Sequence, residues 1–127
     1  MAWYEENPNR FELEMRLIAR NYPQARVFIG KKGIVIYLEI TGKKYRYLAE
    51  IIYPADFPFN QPKVFIRQPK LPSKYHDIHR FNNGSLCLAK PNQTGPQTSG
   101  KVICDWTHDW VKSYEAWQDT RVFPGGD

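Results

Sequence analysis

Ile34, Ile36, Leu38 and Ile40 alternate with Val35, Tyr37 and Glu39. A period of two turns one set of side chains toward a single face only in an extended strand. Thr41-Gly42-Lys43-Lys44 then turns the chain, and Tyr45, Tyr47, Ala49 and Ile51 alternate with Arg46, Leu48 and Glu50. Such runs predict an antiparallel meander with one face on the core and the other toward water. A shorter run, Ala25 to Ile29, is closed by Gly30-Lys31-Lys32-Gly33, and a fourth lies near Val64 to Arg67. Ahead of the strands, Phe11, Met15 and Ile18 recur at i, i+4 and i+7 with Leu17 beside them, which predicts a helix from Pro8 to Asn21. Asn7 can cap it, Pro8 suits a first turn that needs no amide hydrogen, and Tyr22-Pro23 ends it. A helix followed by a run of strands argues for an α+β fold rather than alternating α/β.

Beyond Arg67 the periodicity fades. Gln68 to Asn83 carries Pro69 and Pro72 and reads as ordered but irregular, and Pro91 to Gly100, rich in Asn, Gln, Thr, Gly and Pro, reads as a flexible surface loop. A last helix is predicted from His108 to Gln118, capped by Thr107 with Asp109 in its first turn. Trp110, Tyr114 and Trp117 form its stripe; they and Trp106 are core aromatics that imply no cofactor. The tail Phe123-Pro124-Gly125-Gly126-Asp127 reads as frayed. With 127 residues, 42% hydrophobic and 15% aromatic, the chain has material for one core, so residues 1–127 are expected to form one domain ordered over about 7–118.

The net charge of +5 is dispersed from Arg10 to Arg121, densest at Lys43, Lys44 and Arg46, and reads as a solvated surface or a face for an acidic protein partner rather than a nucleic-acid groove. No stretch approaches the roughly 20 apolar residues that span a bilayer. The opening Met-Ala-Trp-Tyr-Glu-Glu lacks a basic-then-apolar secretory pattern, so a cytoplasmic location is expected. Cys87 and Cys104 are too few for a disulfide framework and should be thiols in a reducing compartment.

Two stretches are more specific. Tyr53-Pro54-Ala55-Asp56-Phe57-Pro58-Phe59-Asn60-Gln61-Pro62-Lys63-Val64 spaces three prolines at intervals of four with aromatics between them. Each proline locks φ and restricts the residue before it, so this bridge should be rigid and packed between the third and fourth strands. Asn82-Asn83-Gly84-Ser85-Leu86-Cys87-Leu88 is a turn signal running into a cysteine between leucines.

Taken in order, the helix, the meander, Tyr-Pro-x2-Phe-Pro-x3-Pro-x-Val, the irregular segment, Gly-x-Leu-Cys-Leu and Trp106-Thr107 ahead of a helix resemble the ubiquitin-conjugating (UBC-like) enzymes over Phe11 to Trp117. The resemblance implies a UBC-like fold and makes Cys87 the thioester-forming nucleophile, which accepts an activated acyl group from a separate adenylating enzyme and presents it to an amine. Usual members have His-Pro-Asn with its Asn eight residues before the cysteine; here the triplet is Asp77-Ile78-His79, and histidine at that place resembles bacterial members. His79 is then the second catalytic candidate, either taking the thiol proton or donating to the tetrahedral oxyanion. The loop from Ala89 to Asp105 is longer than usual, the C-terminal helices are cut to about one, and the acidic residue found near the active site of usual members has no clear counterpart. Bacterial relatives of this stand-alone kind occur in antiphage operons of the cyclic-oligonucleotide (CBASS) class, so a ubiquitin-like modifier or the C-terminus of a cGAS-like nucleotidyltransferase is the implied acyl partner.

Two alternatives stand beside this reading. One is a non-catalytic binding module of the same fold, although inactive variants of the family typically lack the cysteine. The other is a zinc domain using His76, His79, Cys87 and Cys104, for which His-x2-His is a plausible pair but the Cys-to-Cys gap is weak. Otherwise His76 reads as a structural or solvated side chain and Cys104 as an inert thiol, and neither a metal nor a cofactor is expected.

Overall fold

The computed structural model describes residues 2–31, 33–88 and 93–124. Among the described residues the elements follow in the order α1 (Trp3–Glu6), α2 (Pro8–Asn21), β1 (Arg26–Gly30), β2 (Gly33–Thr41), β3 (Arg46–Ile52), β4 (Lys63–Gln68) and α3 (Gly100–Thr120). The four strands form one antiparallel sheet in the order β1-β2-β3-β4. Its register sets Ile36 opposite Ile51, Leu38 opposite Ala49 and Ile51 opposite Val64. The alternation therefore delivers Ile34, Ile36, Leu38, Ile40, Tyr47, Ala49, Ile51, Val64 and Ile66 to one buried face. Tyr45 departs from the pattern and is exposed, because the hairpin turn ends only at Arg46. The inward face joins a single hydrophobic cluster with Ile18 of α2 and Ile103, Trp110, Val111, Tyr114 and Trp117 of α3.

Helix α2 has the predicted bounds and cap: the Arg10 amide donates to Asn7 Oδ1 at 3.2 Å. The short α1 was not legible, yet it brings Trp3 into the core, stacked on Tyr53 at 5.5 Å and tilted against Phe57 at 4.7 Å. The proline bridge is thereby packed: Tyr53, Phe57 and Pro62 are buried, and the Arg10 guanidinium lies 4.9 Å above the Phe57 ring.

The C-terminal helix corrects the sequence reading. It begins at Gly100, not His108, with Ser99 as its cap accepting from the Val102 amide at 3.3 Å. Thr107 lies inside the helix, buried, its hydroxyl donating to the Ile103 carbonyl at 2.7 Å. The expected surface loop fails at the same place, since Thr98, Ser99 and Gly100 are buried; Pro91 and Asn92 lie outside the described residues. What draws this end inward is Glu14, fully buried on α2, which accepts from the Gly100 amide at 2.7 Å, Tyr53 Oη at 2.8 Å and Arg10 Nε at 3.1 Å. Arg10 in turn donates to the carbonyls of Pro96 and Thr98. Position 100 must be glycine, because a Cβ there would lie 1.9 Å from the Tyr53 hydroxyl.

A second buried carboxylate closes the other end. Glu115 on α3 accepts from the turn amides of Lys43 at 2.8 Å and Lys44 at 3.0 Å and from Tyr47 Oη at 2.9 Å. Burial pushes its carboxyl up, but the Lys44 and Lys43 amides, the Tyr47 hydroxyl and the Tyr45 amide outweigh burial and hold it below the usual value. Below about pH 4.3 the unfolded chain takes up this proton before the folded one does, so Glu115 stabilises the fold at neutral pH and loses that contribution as acid titrates the folded carboxylate. Glu115→Gln should cost about 1.5–3 kcal/mol at pH 7, and the gap to wild type in urea denaturation should narrow at pH 3. A gap independent of pH would contradict this.

Candidate active site around Cys87

The loop carrying Cys87 is built by short-range chemistry. Asn83 Oδ1 accepts from the Ser85 amide at 2.9 Å and its hydroxyl at 2.7 Å, an Asx turn. Gly84 completes the turn at φ 93°, a left-handed conformation that favours glycine. The ends are closed by an antiparallel bridge between Arg80 and Leu86 and by the Phe81 amide donating to the Ser85 carbonyl at 2.8 Å. Arg80, which the sequence reading did not single out, clamps the outside: it donates to the carbonyls of Gly84 at 3.3 Å and Pro72 at 3.0 Å and lies 4.7 Å over the Tyr75 ring. Leu86 is pinned to β4 through its amide, which donates to the Val64 carbonyl at 2.8 Å. The proline bridge thus delivers the strand on which the cysteine loop docks.

This arrangement brings Cys87 and His79 together through the main chain. The Cys87 amide donates to the His79 carbonyl at 2.8 Å. His79 occupies the left-handed region at φ 54°, and the peptide before it is anchored by Trp110, whose indole donates to the Ile78 carbonyl at 2.9 Å. Both side chains are half-buried. The His79 ring stacks on Phe123 at 4.5 Å and 11°, and its nitrogens make no hydrogen bond among the described residues. The reading of the tail as frayed therefore fails at Phe123, which also sits 6.0 Å from Trp110, while Gly125, Gly126 and Asp127 lie outside the described residues.

The two cysteines differ sharply. Cys104 is fully buried in α3, and burial first, then the Asp105 and Glu14 charges, push its thiol up to about 12. It is held protonated and out of reach, whereas Cys87 keeps access to solvent. His76 is exposed. Among the described residues no three His, Cys, Asp or Glu side chains converge to hold a metal ion, so the zinc alternative loses its ligand set. The leucines flanking Cys87 line an open cleft of about 720 Å³ with Phe59, Gln61, Gly95 and Trp106.

Against this geometry the sequence matches the type II CBASS E2 proteins over residues 14–127. The chain belongs to that family. Solved structures share the fold of this CBASS E2 chain at low identity. A ubiquitin-conjugating enzyme E2 from Plasmodium falciparum superposes with a TM-score of 0.58 at 17% identity, covering 83% of this chain and 97% of that one. The Vps23 UEV domain in complex with ubiquitin gives 0.57 at 15% identity, covering 80% of each chain. The yeast Vps23 UEV domain with a Vps27 PSDP peptide gives 0.56 at 15%, covering 83% and 81%. No curated protein sequence matches the chain. The CBASS E2 chain is thus a UBC-like protein of CBASS defence. None of its described helices is long and apolar enough to cross a membrane.

Proposed function

We propose that this CBASS E2 chain is an acyltransferase that carries its cargo as a thioester on Cys87 and passes it to an amine. The observation that supports it most is the contrast between a solvent-accessible Cys87, tied by its amide to His79, and a Cys104 that is buried and held protonated. In the loading step the Cys87 thiolate attacks the carbonyl carbon of a thioester held by an activating enzyme; the new C–S bond forms as the old one breaks, and the donor leaves as thiolate. In the transfer step an amine nitrogen attacks that carbon, the oxyanion of the tetrahedral intermediate collapses, Cys87 departs as thiolate, and the amine loses a proton. His79 serves as a donor to that oxyanion, since its ring nitrogens have no partner among the described residues. The cargo is a ubiquitin-like modifier or the C-terminus of a cGAS-like nucleotidyltransferase, and the whole chain acts as one domain in the cytoplasm without metal or cofactor.

A pulse–chase tests this. With an adenylating enzyme, ATP and the cargo protein, the loaded chain should be consumed when a free amine is added, in step with an amide product. Stable cargo binding without an adduct would instead favour a non-catalytic module, the reading that the likeness to Vps23 UEV domains keeps open.

A further inference from the structure

We infer that Phe123 is a positioning residue of the transfer step, so that residues 121–124, which follow α3, are part of the active site. The inference rests on the proposed role of His79. The imidazole is half-buried, leaves the left-handed backbone at φ 54°, and among the described residues its ring stacks on Phe123, at 4.5 Å between centroids and 11° between planes. Stacking acts on the face of a ring, and hydrogen bonds to imidazole lie in its plane. A stacked histidine therefore has its orientation fixed while both nitrogens stay open along their edges, which is what an oxyanion donor requires before substrate arrives.

The support for Phe123 comes from the core. Its ring is tilted at 6.0 Å against Trp110, the residue whose indole anchors the Ile78 carbonyl next to His79. Trp110 is itself stacked on Tyr114 at 5.1 Å. One aromatic column from α3 thus fixes both the main chain and the ring of His79. The approach of Phe123 is set at the end of the helix, where Arg121 takes a left-handed φ of 62°, its amide donates to the Trp117 carbonyl, and its guanidinium lies 4.6 Å over the Trp117 ring. A strap that silenced His79 through its nitrogens would hydrogen-bond them; the Phe123 side chain has no group to do so and meets the face of the ring, so it assists transfer rather than blocking it.

The test uses the full chain labelled with ¹³C-histidine. In wild type the His79 ring protons should resonate upfield under the Phe123 ring current, and Phe123→Leu should move them downfield while Phe123→Tyr keeps them in place. Single-turnover transfer from an adduct already formed should fall about 10- to 100-fold in Phe123→Leu, short of the 10²–10³ that loss of a whole donor costs, and Phe123→Tyr should restore it. Phe123→Met serves as the ring-less variant should Phe123→Leu not fold. His79 resonances that do not move, or transfer that is equal or faster without the ring, would overturn the inference. If wild type forms no adduct, the proposed activity falls, and the resonance shift still decides whether Phe123 orients His79.

Discussion

Glu14→Ala is expected to lower the unfolding free energy by about 3–5 kcal/mol, the cost of breaking a buried ion pair from one side. Set against the 5–15 kcal/mol typical of a whole domain, this is the largest stability effect that the fold implies. The carboxylate has no solvent access and gathers three donors from three parts of the chain: Arg10, Tyr53 and the Gly100 amide. Its removal leaves the Tyr53 hydroxyl and the first amide of α3 buried without an acceptor and strands Arg10 beside them. Glu14→Gln keeps an acceptor but loses the charge, and should fall between wild type and alanine. The urea midpoint at pH 7 reads the effect; a loss below about 1 kcal/mol for alanine would mean that water replaces the carboxylate.

Substitution at His79 should give the largest effect on activity. Loss of the imidazole is expected to slow transfer from the Cys87 thioester by about 10²–10³. The backbone makes the choice of substitution matter. At φ 54° a side chain without polar groups costs about 1–2 kcal/mol, while Asn and His are among the residues that visit this region most readily. His79→Ala therefore combines loss of the donor with strain, and His79→Gly removes the donor without it. His79→Asn should retain both the loop and part of the activity, because an amide donates as well and tolerates the same conformation. Equal transfer rates in His79→Gly and wild type would leave His79 a structural residue.

Legibility divides along physical lines. Helix α2, its Asn7 cap and three buried rows of the sheet follow from local periodicity and capping, which sequence displays directly. The start of α3 was missed because Gly100 sits in a Pro/Gly-rich stretch and Trp106-Thr107 resembles a helix start. The stripe could have been extended upstream, since Ile103, Trp110, Val111, Tyr114 and Trp117 share one buried face. Glu14 lies on the same helical face as Phe11 and Ile18, and hydrophobicity alone cannot mark a carboxylate two of whose three donors come from residues 53 and 100. Around the proposed site, the motif singles out Cys87 and His79 as candidates, whereas the left-handed His79 backbone and the Phe123 stack are products of tertiary packing.

The thioester on Cys87 is tested most directly by intact-mass analysis of the loaded chain, followed by mapping of the modified peptide. Cargo should add to wild type by one condensation, map to Cys87 and leave with thiol reductant. Cys87→Ser should yield an adduct that survives the reductant, Cys87→Ala none, and Cys104→Ala an adduct like that of wild type. A reductant-sensitive adduct formed undiminished by Cys87→Ala would contradict the assignment.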